Sequence, residues 1–452
     1  MTSRPQKLDS SKPCQDVFTP VDTIISKGSS GESIFDQEFS PEPRPGTQWT
    51  QSYLIAYQRE QENVFEGDQK CEIYVDKMNP ETGLLAGDRV LVSDQAATFT
   101  RGFFQGPEWG YSDKDGLLLF FTVLVDHKPQ IAYCTVDSTG HPSTPVVLTG
   151  DQIDGFGRVI PTASKKGTSI AQVTYTQWDP TPGERPDSPR ERVTTRVFYW
   201  MDTVERKEHR IDGVRVFTQG PQFLEPFNPN VNPLCDLLLC QKDSKTMDQV
   251  VRYNTQTGES HFLTSEPTWH HRDPARFRAT DPLYAGANAY AVSIVEKNED
   301  YPTKIALYAD VSPDDPYGKL ELRNVLSIPQ CALDEGFTAI TSVETISSPT
   351  LKQSFLSLRL MKPGKGIPLD WDSSIWLWSL DDSLRRKVSG NNASEGNLLG
   401  TDPEYLLGDG KLFIYYSVYN LPQREAGRLK SGPADLHLCE TGVLSDGTII
   451  QD

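Results

Sequence analysis

The densest histidine locus in this chain is Trp269-His270-His271-Arg272-Asp273, which holds two of the seven histidines side by side. Histidine exchanges protons near neutral pH, and a guanidinium group can hold a carbonyl or phenolate oxygen. The sequence therefore predicts catalytic roles for His270, His271 and Arg272. Arg272 could instead pair with Asp273. Because adjacent histidines in a strand point apart, no shared metal site is predicted.

Further candidates lie just before apolar strands elsewhere in the chain. Glu108 is predicted as a fourth catalytic group, although it could equally be a hydrogen-bond partner between repeats. With Glu225 it could form the carboxylate pair of a glycoside-cleaving site. Aromatic walls with a few polar groups are typical of small-molecule pockets. The residues predicted to bind substrate are Gln105, Trp109, Gln219, Phe223, Trp269, Asp273 and Tyr405, with Asp402 and Glu404 as weaker candidates.

The elements that would position these residues form an imperfect repeat. Phe104-Gln105-Gly106-Pro107-Glu108-Trp109 precedes the apolar run Leu117–Phe121, and Phe217-Thr218-Gln219-Gly220-Pro221-Gln222-Phe223 precedes Leu237–Cys240. Each stretch indicates a Gly-Pro turn followed by a buried strand. Because a repeat needs a packing group at this position, Trp109 could be a plug between repeats rather than a ligand-binding residue.

Seven such units are predicted, each with an apolar first strand, an alternating second strand and often a turn glycine such as Gly140. Short strands at regular spacing are typical of a β-propeller. We therefore expect an all-β, single-domain propeller, most simply with seven blades; six or eight would need one misassigned unit. A sandwich or several small β-domains is the alternative. Residues 1–44 are predicted to be a flexible segment, in which Val21–Ile25 could be a ring-closing strand, and residues 45–452 the propeller.

The same pattern predicts how the units face the axis. The apolar first strand of each unit is expected to run nearest the axis, with the Gly-Pro turns at the mouth of the central funnel. Long loops after the first strand, at 178–192, 361–371 and 421–428, are expected on the opposite face. These loops are either surface insertions or a lid.

Composition excludes several classes of partner. The net charge of −18 argues against binding nucleic acid or anionic membranes, which require basic patches. The seven cysteines lack the clustering of a zinc site and are expected mostly as buried thiols, with a Cys235–Cys240 disulfide left open. No nucleotide-binding or serine-hydrolase motif occurs, so no cofactor is predicted.

Hydropathy patterning predicts neither a membrane span nor a signal peptide. No apolar run approaches the ~20 residues that a spanning helix needs. Residues 1–12 are polar and lack an apolar core. The expected compartment is therefore the cytoplasm, or the exterior if a signal peptide has been removed.

Three stretches together resemble the TolB-like propeller repeat: Gly106-Pro107-Glu108-Trp109, Asp115-Gly116 and Gln130–Asp137. That repeat has a Pro-x-Trp turn, an Asp-Gly turn, an apolar strand and a strand ending in Asp. The match is good in the second unit and partial in the fourth and seventh. The resemblance implies the propeller fold but no single function, because propellers host binding modules, lyases, hydrolases and isomerases.

In length, propeller pattern, divergent repeats and absent cofactor motifs, the chain also resembles cofactor-free propeller proteins of fungal natural-product pathways. These include proteins suspected of guiding hetero-Diels–Alder cyclisations. The resemblance implies a cofactor-independent cyclase whose funnel orients largely apolar or aromatic reactants, while Arg272 or His271 polarises a carbonyl oxygen. The alternatives are a glycan-active or glycan-binding propeller with paired carboxylates, and a scaffold for a protein partner.

Overall fold

The computed structural model describes residues 20–26, 32–42, 50–61, 69–98, 106–126, 128–149, 158–163, 171–178, 196–217, 220–224, 236–243, 247–284, 287–311, 317–364, 371–389, 398–420, 423–425, 428–430 and 434–450. In these residues the regular structure is β except for a 3-10 turn at Pro282–Tyr284 and a short α-helix at Gln330–Asp334. The all-β prediction is confirmed. Within the same ranges, no helix has the length and hydropathy needed to cross a bilayer.

In chain order the strands are β1 (Val21–Ser26), β2 (Glu32–Glu42), β3 (Thr50–Gln61), β4 (Gln69–Lys77), β5 (Val90–Thr98), β6 (Glu108–Ser112), β7 (Gly116–Val125), β8 (Lys128–Val136), β9 (Val146–Val147), β10 (Arg158–Ala163), β11 (Gln172–Trp178), β12 (Arg196–Asp202), β13 (His209–Ile211), β14 (Gln222–Leu224), β15 (Asp236–Lys242), β16 (Asp248–Tyr253), β17 (Ser260–Phe262), β18 (Trp269–Arg278), β19 (Asn288–Glu296), β20 (Lys304–Asp310), β21 (Leu320–Ser327), β22 (Ala339–Ile346), β23 (Phe355–Met361), β24 (Ser373–Ser379), β25 (Arg385–Lys387), β26 (Leu398–Leu407), β27 (Lys411–Asn420), β28 (Gln423–Glu425), β29 (Arg428–Lys430) and β30 (Ala434–Leu444).

Apart from the two-stranded sheet of β28 and β29, these strands fall into groups of four. Three groups are separate antiparallel sheets: β10–β13, β14–β17 and β18–β21. Two larger sheets each divide into two groups joined by one residue pair, Ala96 with Val123 in the first and Ser373 with Leu399 in the second. The grouping is consistent with the seven predicted blades, whose exact number stays a prediction.

The first strand of each group belongs to a closed ring. Strands β2, β6, β10, β14, β18, β22 and β26 each contact the next, and β26 contacts β2. This arrangement is a β-propeller, as predicted. The prediction of which strand is innermost is wrong, however. The apolar run Leu117–Phe121 was expected nearest the axis, but it lies in β7, the second strand of its group.

The hydrophobic core lies between neighbouring groups, which explains the apolar run in second strands such as β7. In β7 the residues 118–123 are all buried. Leu119 packs in one cluster with Ile73 of β4, whereas the next residue, Phe120, packs in another with Tyr175 of β11. Both faces of the strand are therefore covered, and each such side chain contributes roughly 1.5–3 kcal/mol of burial.

A strand from the start of the described chain completes the last group. β1 pairs antiparallel with β30, from Val21 opposite Glu440 to Ser26 opposite Leu436. The pair is reinforced where His437 Nδ1 lies 2.9 Å from Asp22 Oδ1. Residues before 45 thus supply both β1 and β2 to the sheets. We propose on this basis that the propeller domain extends N-terminally to β1.

Several innermost strands share a β-bulge. It falls at Phe35/Glu38 in β2, Val159/Thr162 in β10, Arg272/Ala275 in β18, Thr341/Glu344 in β22 and Thr401/Glu404 in β26. Within these bulges Asp36, Asp273 and Ser342 have φ of 57°, 45° and 47°. Because a bulge adds one residue and turns the strand, it redirects the side chains that follow it.

The Gly-Pro turns share a face with the loops that follow the apolar strands, whereas the sequence predicted opposite faces. Glu108 at the start of β6 pairs with Phe120, close to the end of β7 at Val125. The turn before an innermost strand therefore shares a face with the loop after the second strand, because the two strands run antiparallel. Most of the three long loops lies outside the described residues, apart from the hairpin of β28 and β29.

The described cysteines are mostly buried thiols, as expected. Cys71, Cys134, Cys240 and Cys439 are free and buried, which excludes a Cys235–Cys240 disulfide. Burial raises the pKa of Cys134 to about 12, so this thiol stays protonated and unreactive near neutral pH.

Candidate functional site

A buried carboxylate joins two of the predicted catalytic residues. Asp248, the first residue of β16, is 4 % exposed. Its Oδ2 accepts a hydrogen bond from His270 Nδ1 at 2.7 Å and lies 2.7 Å from Arg272 Nη1. Its Oδ1 lies 3.8 Å from Nε of Arg215. We call Asp248, His270, Arg272 and Arg215 the Asp248 cluster.

Strand geometry brings this cluster together between two neighbouring groups. His270 and Arg272 are two residues apart on β18, so their side chains leave the same side of the strand, toward Asp248 at the start of β16. Burial would raise the pKa of Asp248, but Arg272 and then His270 lower it below its ordinary value. The carboxylate is therefore charged at neutral pH and fixes the orientation of both partners.

His271 is fully buried, and both of its ring nitrogens are hydrogen-bonded. Nδ1 donates to the backbone oxygen of Asp248 at 2.9 Å, and Nε2 accepts from the Tyr308 hydroxyl at 2.7 Å. Burial is the main cause that lowers the pKa of His271 to about 4, so the ring is neutral near pH 7. This placement gives His271 a packing role and argues against the predicted catalytic one.

Arg272 and Asp273 also have internal partners. Arg272, 8 % exposed, donates from Nη1 to the backbone oxygen of His271 at 2.7 Å and pairs with Asp248 rather than with Asp273. Asp273 Oδ1 accepts from the backbone nitrogen of Phe217 at 2.9 Å. These bonds hold β18 against the preceding group, and they argue against Arg272 as the residue that polarises a substrate oxygen.

The predicted aromatic binding residues are built into the packing. Trp109 has no exposed surface, and its Nε1 donates to the backbone oxygen of Glu38 at 2.9 Å. This favours the plug over the ligand-binding alternative. Phe223, Trp269 and Tyr405 are half-buried, and each packs against a hydrophobic cluster between groups.

Three of the candidates cannot be placed. Gln105, Gln219 and Glu225 lie outside the described residues, so their predicted roles stay predictions. Asp402 lies in the bulge of β26, directly before Pro403 and Glu404.

Glu108 and Glu404 belong to a set that the sequence did not bring together. Glu344 of β22, Glu404 of β26, Glu38 of β2 and Glu108 of β6 occupy four successive strands of the ring. We call them the axial glutamates. Glu404 is 9 % exposed and the other three are half-buried.

The axial glutamates lie at similar depth along the axis. Each innermost strand pairs with the strand that follows it. Each axial glutamate lies two to four residues before the last residue of its strand that takes part in this pairing. At about 3.3 Å per residue, their depths measured from that end differ by roughly 7 Å at most. Three of them come directly after a bulge, so the same backbone irregularity positions each.

Two residues of the Asp248 cluster and two axial glutamates were missed in the sequence. Asp248 and Arg215 carry no local signal, because their partners are distant in the chain. A signal did exist for the bulges. Proline cannot donate to a ladder and inside a sheet marks an edge or a bulge, and Pro274 and Pro403 mark the bulges of β18 and β26.

In the part of the chain that the structure describes, no group of three or more histidine, cysteine, aspartate or glutamate side chains is arranged to hold a metal ion. The two adjacent histidines have separate partners, His270 the side chain of Asp248 and His271 the hydroxyl of Tyr308.

No family model matches the chain, and no curated protein matches it by sequence. Solved structures do match. An α-L-arabinanase of Penicillium chrysogenum complexed with arabinobiose has 11% identity over 93% of this chain and 98% of that chain, with a TM-score of 0.42. TolB from Acinetobacter baumannii has 11% identity over 78% of this chain and 79% of that chain, with a TM-score of 0.36.

A prolyl endopeptidase has 10% identity over 86% of this chain and 47% of that chain, with a TM-score of 0.42. The chain thus spans about half the length of that enzyme. At these identities the likeness concerns the fold alone, and none of these matches bears on the cyclase resemblance. What the chain shares with these proteins of different activities is the β-propeller.

Proposed function

We propose that this protein is a glycan-active propeller that holds a sugar chain at its axis between the axial glutamates. The observation that carries the proposal is their placement on four successive strands of the ring at similar depth. Glycoside hydrolysis uses two carboxyl groups roughly 5 to 9.5 Å apart, one as proton donor and the other as nucleophile or base. We propose neighbouring glutamates such as Glu404 and Glu38 as that pair, since they lie on contacting strands of the ring.

The chemistry of these carboxylates also suits binding without cleavage. Half-buried carboxylates accept hydrogen bonds from sugar hydroxyl groups, and such charge-assisted bonds are stronger than neutral ones. The substrate or ligand that we propose is therefore rich in hydroxyl groups, in contrast to the apolar or aromatic substrate expected from the sequence. Hydrolysis by two carboxyl groups requires no cofactor.

The cyclase function is less well supported by the contacts of its proposed residues. It needs a hydrogen-bond donor at Arg272 or His271 that reaches a substrate oxygen. Arg272 is paired with Asp248, and His271 is fully buried with both nitrogens bonded. The cyclase therefore stays a prediction, and it ranks below the glycan-active function.

The proposal is tested by assaying purified protein against aryl glycosides and soluble polysaccharides, with released aryl alcohol or new reducing ends as the readout. We expect turnover of at least one substrate. Glu404→Gln and Glu38→Gln should each reduce the rate by roughly a hundredfold or more, because proton transfer by a positioned group contributes that much. The melting temperature should stay close to that of the wild type.

Glu81→Gln is the matched control, since Glu81 is an exposed residue of a turn. It should leave the rate unchanged. Failure of the wild type to cleave or bind any member of the panel would overturn the proposal. So would axial variants as active as the control.

We also propose that the protein works in an oxidising compartment rather than in the cytoplasm. Cys331 is disulfide-bonded, and disulfides persist mainly outside the cytosol. Peptide mapping of native protein without reduction should give a cross-linked peptide that contains Cys331 and disappears on reduction. A free thiol at Cys331 in protein from its natural source would contradict this assignment.

A further inference from the structure

Arg215 and His270 carry side-chain nitrogens that have no role in the packing described above or in the proposed site at the axial glutamates. Their side chains are 32% and 19% exposed, against 10% for Arg272. Within the described residues, no hydrogen bond engages Nε2 of His270 or the terminal nitrogens of Arg215. Both residues therefore present hydrogen-bonding nitrogens that are available to a ligand.

The backbone places both residues beside the ring. Arg215 lies between β13 and β14, where its backbone nitrogen donates to the oxygen of Cys240 at 2.7 Å and Val214 forms a bridge with Gln241. This segment thus runs along β15, as β14 does. His270 is the second residue of the next innermost strand, β18. The two side chains accordingly meet on the face where β18 begins.

Asp248 orients both groups without cancelling their charge. Its Oδ2 fixes Nδ1 of His270, which directs Nε2 away from the carboxylate, and its Oδ1 lies 3.8 Å from Nε of Arg215. Arg272 already pairs with this carboxylate at 2.7 Å. The four side chains of the cluster therefore include two guanidinium groups and one carboxylate, in a chain whose net charge is −18.

We infer that Arg215 and His270 form an anion subsite that binds the carboxylate of an acidic sugar residue, so that the glycan is a uronate-containing one. The inference rests on the proposed glycan-active function and adds the substrate class. Arginine matches a carboxylate with two parallel N–H donors, and the oriented imidazole supplies a third contact. Because the whole chain is acidic, recognition depends on these contacts and not on long-range attraction.

The test compares methyl glucuronide with methyl glucoside, in which a hydroxymethyl group replaces the carboxylate, by calorimetric titration of the intact protein. We expect the glucuronide to bind roughly tenfold more tightly or better, as charged hydrogen bonds provide. Arg215→Gln should abolish this preference, His270→Gln should weaken it, and Arg215→Lys should keep part of it. Arg210→Gln is the control, because Arg210 is an exposed arginine paired with Asp212.

The outcomes separate the inference from the function on which it rests. Equal binding of the two glycosides, or a preference that Arg215→Gln leaves intact, overturns the subsite while the glycan-active function stands. Binding of neither sugar overturns both. Tighter binding of the 6-phosphate of methyl glucoside than of the glucuronide, lost in Arg215→Gln, overturns the carboxylate assignment in favour of phosphate.

Discussion

The Asp248 cluster and the axial glutamates use charged side chains in opposite ways. In the Asp248 cluster, groups from β16 and β18 meet each other, and most of their hydrogen-bonding capacity joins two groups of strands. The axial glutamates instead come one from each of four strands around the ring. The first arrangement stabilises the fold, whereas the second places one carboxylate on each of four successive strands of the ring.

The difference teaches that a dense run of reactive residue types is a poor guide to a site in a repeat fold. Neighbours in sequence on one strand tend to find partners in the adjoining strands. Residues at equivalent positions of successive repeats converge on the axis, although they are scattered along the chain. Of the two histidines in the locus at 269–273, only His270 keeps a ring nitrogen available.

Removing the carboxylate at the centre of the cluster should have the largest effect. Asp248→Asn leaves the buried guanidinium of Arg272 without its counter-charge, and we expect a loss of roughly 3–5 kcal/mol in the free energy of unfolding. Chemical denaturation measures this directly. Asp212→Asn, at an exposed ion pair, is the control and should leave stability unchanged. If Asp248→Asn were as stable as that control, the cluster would not be a structural unit.

Acid should weaken the same region through His271. The pKa of this ring is about 4 in the folded protein against 6.5 ordinarily, so between these values the unfolded chain binds a proton that the folded chain lacks. The free energy of unfolding should therefore fall as pH drops from about 6.5 toward 4, by up to roughly 3 kcal/mol.

The variant His271→Gln should flatten this pH dependence, measured by denaturation at a series of pH values. His141→Gln, at a histidine whose side chain is 67% exposed, is the control and should retain the full slope. An unchanged slope in His271→Gln would show that another group is responsible.

The smallest effect should come from Trp109, which supports one of the axial glutamates. Trp109→Phe keeps the aromatic packing but removes the hydrogen bond from Nε1 to the backbone oxygen of Glu38. We expect a loss of about 1–2 kcal/mol in stability, together with lower glycan turnover, because Glu38 loses a support. Unchanged turnover at reduced stability would confine Trp109 to packing.

The parts of the fold that follow from local pattern could be predicted from sequence. The apolar second strands are long and covered on both faces, so β7 and its equivalents are evident from composition alone. The innermost strands are less evident, because β6 has five residues and β14 only three. This is why the sequence predicts the apolar second strand, rather than the short first strand, to lie nearest the axis.

The site was less predictable because its contacts are long-range. Arg215 and Asp248 meet only after a linker folds back along β15, and no spacing in the sequence encodes that. Glu404 and Glu108 are among the residues predicted for the site, but Glu38 lies in a segment that the sequence predicts to be flexible. Their common position becomes clear only when the bulges of β2, β22 and β26 are aligned.

The pairing of β1 with β30 has a consequence for biosynthesis. About 400 residues separate these partners, so at roughly 5–20 residues per second the ribosome makes β1 about 20–80 s before β30. Throughout that time Val21–Ser26 has no strand to pair with, and the last group cannot be completed. Closure of the ring therefore has to wait for the synthesis of β30, and a chain that ends before Ala434 cannot undergo it.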